Sequence, residues 1–162
     1  NEYKVINHTN GELYFSIGCH EAYACDKFTD YSLKFKNKLT LNTRRINEEG
    51  IVQEGYEPIL NDEDTLRLNH SYFENDALIF EDIDIDSVTL VDNEGKNGVE
   101  VTFKGFPYLG IWTKPGAAFL CIEPWFGVSD YYDADGNIDN KRQIKRLNKN
   151  EEFACIHTIR VF

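Results

Sequence analysis

Apolar and polar residues alternate with a period of two along much of the chain, as expected for strands with one buried face. The pattern predicts strands at residues 1–6, 13–20, 31–36, 82–86, 99–104 and 153–161. Asn-Gly and Asp-Gly pairs, which favour tight turns, separate several of these runs. No window has a long helical period, although short helical pieces fit residues 62–73 and 140–147. These features predict an all-β, mostly antiparallel fold, with residues 1–162 forming one β-sandwich domain.

The segment 106–130 is rich in aromatic residues and contains one carboxylate in an apolar run, Glu123. A strand would place Glu123 on the face of Phe119 and Cys121, with Pro124 ending the regular ladder and Trp125 beside the carboxylate. A buried carboxylate must be paired, neutralised or used chemically. Two interpretations stay open: a general base in apolar surroundings, or a Glu satisfied by an arginine or by backbone donors.

Two further polar residues are candidates for chemistry. His20 follows Gly18 on the strand face opposite the apolar residues, and histidine as a type titrates near neutral pH, which suits a general acid. Asp76 stands at the start of an apolar run, where it could accept hydrogen bonds from sugar hydroxyls. The alternatives are an ordinary polar residue at a strand end for His20 and a turn-capping residue for Asp76. His70 competes with His20 as a candidate acid.

Composition narrows the partners. The formal net charge is −11 and the acidic residues are dispersed, which argues against nucleic acid and anionic membranes as partners. No apolar run is long enough to span a membrane, and no basic, apolar leader opens the chain. The four cysteines lack metal-site spacing and are expected to be reduced thiols of a cytoplasmic protein, although a Cys19–Cys25 bridge stays possible.

Residues 133–139 have oxygens spaced as in a calcium loop, but Gly136 and Ile144 depart from that pattern and favour a solvated hairpin.

Four motifs together resemble the LacX-type branch of the aldose 1-epimerases, relatives of galactose mutarotase. They occur in the family's order, span most of the chain, and read FSIGCHEAY at 15–23, NDALIF at 75–80, GFPYLGIW at 105–112 and CIEPWFG at 121–127. The resemblance implies a galactose mutarotase-like β-supersandwich and interconversion of the α and β anomers of an aldohexose. It assigns the general acid to His20, the general base to Glu123 and hydroxyl binding to Asp76. Trp125, Tyr108, Phe126 and Trp112 are candidates for stacking on the sugar, or else core residues.

The resemblance also sets expectations for the rest of the site. Family members are considerably longer, so the chain resembles their C-terminal part, with a companion chain or N-terminal segment completing the fold. No metal or organic cofactor is expected. The acid and the base are expected to face each other across a cavity one pyranose wide. The alternatives are a non-catalytic carbohydrate-binding or regulatory protein, and a hexose-6-phosphate 1-epimerase whose cationic cluster would come from residues 43–45 or 141–142.

Overall fold

A computed structural model describes residues 1–162 as thirteen β-strands and three short 3-10 helices. The strands are β1 Glu2–Ile6, β2 Leu13–Phe15, β3 Glu21–Ala24, β4 Tyr31–Thr43, β5 Glu57–Arg67, β6 Leu78–Glu81, β7 Ser87–Asp92, β8 Gly98–Thr102, β9 Tyr108–Trp112, β10 Phe119–Trp125, β11 Lys145–Leu147, β12 Glu152–Ile156 and β13 Thr158–Val161. The 3-10 helices are Phe28–Asp30, His70–Phe73 and Ile138–Asn140. The predicted all-β class is therefore confirmed.

Two antiparallel sheets make up most of the molecule. One has five strands in the order β13-β8-β7-β4-β5, and the other has four in the order β3-β10-β9-β6. Two ribbons, β1-β12 and β11-β2, complete the strand pairing. β10 is a central strand, pairing with β3 on one side and β9 on the other.

A single large cluster of buried apolar side chains connects the two sheets. Leu33 and Val101 of the five-stranded sheet and Leu109 and Ile122 of the four-stranded sheet belong to it, and all four are fully buried. Burying an aliphatic side chain of this size contributes roughly 1.5–3 kcal/mol. This core holds the inner face of β10 in place, and the opposite face of the strand carries Glu123.

Some predicted strand boundaries are wrong. Residues 82–86 are not a strand, because Asp82, directly after β6, has a positive φ of 47°, which breaks the extended backbone before β7 begins. The run at 153–161 divides into β12 and β13 at His157, whose ring is fully buried and hydrogen-bonded. Between 62 and 73 the first six residues continue β5, and only the last four form a 3-10 helix.

Pro124 does not end β10, contrary to the prediction. It pairs with Leu109, and Trp125 pairs with Tyr108 one position further. The Pro124 carbonyl accepts a hydrogen bond from Cys19 N–H at 3.1 Å, on the side away from β9. Because the N–H and C=O of one residue in a strand point to the same side, the missing proline N–H removes no bond to β9.

The four cysteines are all free and buried, so no Cys19–Cys25 bridge forms. None of the helices is long and apolar enough to cross a bilayer.

Candidate functional site

The outer face of the four-stranded sheet carries the candidate site. Because side chains alternate along a strand, Glu123 shares a face with its neighbours two positions away, Cys121 and Trp125. Opposite Glu123 on β9 is Gly110, which has no side chain to fill the space beside the carboxylate. The indole ring of Trp125 lies over that glycine, where an added Cβ would be 2.3 Å from the ring.

His20 and Glu123 are in direct contact. His20 Nδ1 lies 3.2 Å from Glu123 Oε1, with the His20 side chain 65% exposed and the Glu123 side chain 3% exposed. The imidazole therefore covers a carboxyl group that has almost no other access to solvent. The expected arrangement, with acid and base separated by a cavity, is wrong for this structure, since no sugar ring fits within such a contact.

Burial raises the pKa of Glu123 to about 8, and the like charges of Asp76 and Glu21 add to the rise. A smaller opposing effect comes from the Trp125 indole N–H. Desolvation penalises the charged form of a carboxyl group, and nearby carboxylates penalise it further. Glu123 therefore keeps its proton to higher pH than an ordinary glutamate.

Backbone contacts fix the segment that presents His20. Cys19 N–H donates to the carbonyl of Pro124, and the Trp125 indole N–H donates to the carbonyl of Cys19 at 3.1 Å. Gly18 forms an isolated bridge with Trp125, and an added Cβ there would lie 2.4 Å from the indole ring. Pro124 and Trp125, the two residues after Glu123 in β10, thus position the backbone next to His20.

The other predicted site residues have different surroundings. Asp76 is exposed, has a φ of 71° and accepts a hydrogen bond from Ala77 N–H at 2.7 Å, while its charge acts on Glu123. Trp125 is half-buried. Tyr108 is 3% exposed and its hydroxyl contacts the Tyr131 hydroxyl at 3.3 Å, so in this structure it offers no surface for a sugar to stack on.

Trp112, a predicted candidate for stacking, and Cys121, which the motifs did not assign a role, also lie at the site. Trp112 is half-buried and meets the His20 ring edge-on, with centroids 6.0 Å apart. Cys121 Sγ lies within 4.8 Å of the ligand atoms of His20 and Glu123. Period-two spacing from Gly110 and from Glu123 is the sequence signal that would have placed both on this face. His70, the competing candidate acid, instead stacks on Phe28 at 4.2 Å.

The four cations considered for a phosphate group are all paired with carboxylates. Arg44 bonds Glu81 and Arg45 bonds Glu57, at 2.7 and 2.8 Å. Lys141 pairs with Asp130 and Arg142 with Asp133. A cavity of about 430 Å³ is lined by residues 130–142, and none of the five predicted site residues lines it. These cations are already neutralised locally, which weighs against a phosphate site built from them.

Comparison with known proteins gives relatives in sequence and in structure, although no family model matches the chain. The chromosomal and plasmid LacX proteins of Lactococcus lactis subsp. lactis are each 29% identical to it over 155 residues, covering 90% of this chain and 52% of theirs. The chain thus spans about half the length of the curated relatives it matches.

Among solved structures, a galactose mutarotase-like protein from Lactobacillus casei superposes with a TM-score of 0.88 at 22% identity. A galactose mutarotase related enzyme from Lactobacillus acidophilus gives 0.87 at 23% identity. These matches cover 99% of this chain and 58% and 56% of the respective structures. The predicted resemblance is confirmed at this level: the chain is a homologue of the LacX proteins and has the fold of galactose mutarotase-like proteins.

Proposed function

We propose that the chain carries the acid–base pair of an aldose 1-epimerase, which interconverts the α and β anomers of an aldohexose. The observation that carries the proposal is the 3.2 Å contact between the exposed imidazole of His20 and the buried carboxyl of Glu123. The names of the structural relatives, galactose mutarotase-like proteins, support the same chemistry. Glu123 acts as the base and His20 as the acid.

The short distance between His20 and Glu123 suits the reaction, because the two sugar oxygens that exchange protons are also close together. In a cyclic hemiacetal, the anomeric hydroxyl oxygen and the ring oxygen are bonded to the same carbon. Glu123 removes the hydroxyl proton, the C–O bond to the ring oxygen breaks, and His20 protonates that oxygen. The anomeric carbon becomes an aldehyde, which turns about its bond to the next carbon. Reclosure on the other face returns both protons, so atoms and charge balance without a metal or an organic cofactor.

The pair works with one proton between its two members. After ring opening the proton is on Glu123 instead of His20. Ring closure returns it to His20, so the pair ends each turnover in its starting state. Each proton transfer contributes on the order of 10²–10⁴-fold in rate. Since Glu123 is 3% exposed beneath His20, a sugar oxygen reaches the carboxyl only when the imidazole moves aside, and its 65% exposure leaves it room to do so.

The other site residues receive roles from their positions. Asp76, exposed and close enough for its charge to act on Glu123, binds sugar hydroxyls. The half-buried rings of Trp112 and Trp125 flank the acid–base pair and pack against the apolar face of the sugar. A neutral sugar is the proposed ligand, and a further polypeptide segment completes its binding site. The four free cysteines support a reducing compartment such as the cytoplasm.

The test is the exchange of glucose and galactose anomers, measured by polarimetry or exchange NMR on freshly dissolved α-sugar. Catalysis should scale with protein concentration above the spontaneous rate and fall to that rate in Glu123→Gln. Glu100→Gln, which changes a glutamate on the distant β8, is the matched control and should keep full activity. Sugar binding without faster exchange in the wild type would instead identify a non-catalytic carbohydrate-binding protein.

The pH profile gives a second measurement. The active pair holds one proton, and burial raises the pKa of Glu123 to about 8. Catalysis should therefore decline above about pH 8 as that proton is lost, giving the alkaline limb of a bell-shaped profile whose apparent pKa belongs to the pair. A rate that rises steadily through pH 9 would contradict this assignment.

A further inference from the structure

Two groups of metal-ligand side chains lie on opposite faces of the same region of sheet. One group is His20, Cys121 and Glu123, on the outer face. The other is Cys19, Glu21 and His157, on the inner face. In each group the three ligand atoms lie within 4.8 Å of one another. The alternation of side chains along residues 19–21 explains the separation, since Cys19 and Glu21 point away from the face that carries His20.

The inner group is a chain of contacts through one imidazole. His157 Nδ1 meets Cys19 Sγ at 3.0 Å, whereas His157 Nε2 meets Glu21 Oε1 at 3.4 Å. The two ring nitrogens face different partners, so a metal ion bound to one nitrogen could not also bind both the thiol and the carboxylate. His157 is fully buried, and Nε2 also contacts the Asn1 side chain at 3.0 Å. These contacts suit a structural role, in which His157 holds the segment of Cys19 and Glu21 in place.

The three ligand atoms of the outer group are close enough together to share one metal ion. Zinc binds nitrogen and oxygen ligands at about 2.0–2.2 Å in a tetrahedral arrangement, which places two such ligands about 3.2–3.6 Å apart. His20 Nδ1 and Glu123 Oε1 are 3.2 Å apart. Cys121, two residues before Glu123 on the same strand face, supplies a sulfur ligand, which favours zinc and other thiophilic cations over magnesium or calcium.

The surroundings favour a cation with an open coordination position. The like charges of Asp76 and Glu21 act on Glu123, so the local potential is negative. His20 is 65% exposed, which leaves the side opposite the buried thiol accessible to water or to a ligand. Three protein ligands with a fourth position open is the arrangement of zinc sites that exchange ligands.

We infer that His20, Cys121 and Glu123 form a binding site for zinc or a similar thiophilic divalent cation. The cation takes the imidazole nitrogen and the carboxylate that would otherwise exchange protons with the sugar. A bound ion therefore blocks the acid–base pair and makes the site sensitive to free zinc. The binding follows from the three side chains alone, whereas the inhibition rests on the proposed epimerase function.

Cobalt(II) is the probe for binding, because thiolate ligation gives it a sulfur-to-metal charge-transfer band in the near ultraviolet. The reduced, chelator-treated chain is titrated with cobalt and then with zinc, which should displace the cobalt at one equivalent. Cys121→Ser should lose the band and weaken zinc binding by roughly 10–100-fold, the scale of effects seen when a metal site is perturbed. Cys121→Ala, with unfolding measured in parallel, guards against a folding defect in the serine variant.

Matched cysteine controls decide between the two faces. Cys25→Ser removes a buried thiol outside both groups and should keep the band. Cys19→Ser removes the thiol of the inner group and should also keep it. A band lost in Cys19→Ser but retained in Cys121→Ser would overturn the assignment, as would the absence of any thiolate band in the wild type.

Activity measurements separate the inference from the proposed function. In an active chain, zinc should inhibit anomer exchange in the wild type, and Cys121→Ser should need roughly 10–100-fold more zinc for the same inhibition. A chain that binds cobalt through Cys121 without catalysing exchange would support the site and refute the function. A chain that catalyses exchange without binding cobalt would do the reverse.

Discussion

The indole ring of Trp125 lies directly over Gly110, the residue paired with Glu123 across β9 and β10. The absence of a side chain at Gly110 is therefore what lets an aromatic ring pack against the backbone opposite Glu123. The same ring donates its N–H to the carbonyl of Cys19, the residue before His20. One tryptophan thus packs over the residue paired with Glu123 and also bonds the backbone next to His20.

Gly110→Ala should destabilise the protein by roughly 1–3 kcal/mol, because the new methyl group would lie 2.3 Å from the Trp125 ring and force it to move. The measurement is the free energy of unfolding in urea. Gly11→Ala is the matched control, since an added Cβ there has no atom within 4 Å, and its effect should stay within about 0.5 kcal/mol. Equal stability of the two variants would show that the ring adjusts without cost.

The all-β class was predictable, and His20 and Glu123 could be chosen as candidates, because both steps depend only on local sequence order. Alternation fixes which residues share a face, and the four motifs specify the polar candidates. The contact between His20 and Glu123 was not predictable, since it depends on how the backbone at Gly18 and Cys19 crosses β10. Tyr108 is buried with its hydroxyl against that of Tyr131. Its motif does not determine this burial, because the burial depends on contacts between distant parts of the chain.

Pro124 and Asp82 show why two boundaries were misplaced. Proline interrupts a ladder only when its nitrogen faces a strand that needs an N–H donor. The nitrogen of Pro124 faces away from β9, towards Cys19, whose N–H bonds the Pro124 carbonyl. At Asp82 a positive φ breaks a run whose side-chain alternation is that of a strand. Both outcomes depend on the partner strand or on backbone geometry, neither of which a period-two pattern contains.

Glu123 should make stability depend on pH. Its pKa is raised from an ordinary value of 4.5 to about 8 in the folded protein, so between these values the folded state binds more protons than the unfolded state. The free energy of unfolding should therefore fall as pH rises from about 4.5 to 8, by on the order of 3–5 kcal/mol from this group. The measurement is urea unfolding across that range, with a chelator present.

Glu123→Gln removes this contribution, since the amide does not titrate and all other titratable residues are present in both proteins. The wild type should lose stability relative to Glu123→Gln as the pH rises. A constant difference between the two proteins from pH 5 to pH 9 would mean that the carboxyl has no raised pKa in the folded state.

Replacement of the Glu81 carboxylate, outside the candidate site, should destabilise the protein more than replacement of an exposed carboxylate. It accepts hydrogen bonds from Arg44 at 2.7 Å, from Tyr56 at 2.8 Å and from Tyr131. Burial alone would raise the pKa of Glu81, but these three bonds outweigh it and lower the pKa below its ordinary value. Glu81→Gln leaves Arg44, with 12% of its side chain exposed, without a charged partner and should cost roughly 3 kcal/mol.

Glu94→Gln provides the comparison for that variant. Glu94 pairs with Lys96 in an ion pair whose side chains are 71% and 73% exposed, and such pairs contribute little. Its free energy of unfolding should match the wild type to within about 0.5 kcal/mol. If Glu81→Gln were as mild as Glu94→Gln, the arginine would have found other partners.

Asp76→Asn tests whether the charge of Asp76 raises the pKa of Glu123. Asparagine tolerates the positive φ of 71° at this position, so the backbone should be retained. Removing a like charge should lower the pKa of Glu123, because Asp76 contributes to its rise. The carboxyl resonance of isotopically labelled Glu123 should titrate at lower pH in Asp76→Asn, while Asp84→Asn, an exposed acid in the loop before β7, should leave it unchanged. An identical titration in the wild type and in both variants would remove Asp76 from the site, because a hydroxyl-binding residue there must lie close enough for its charge to be felt.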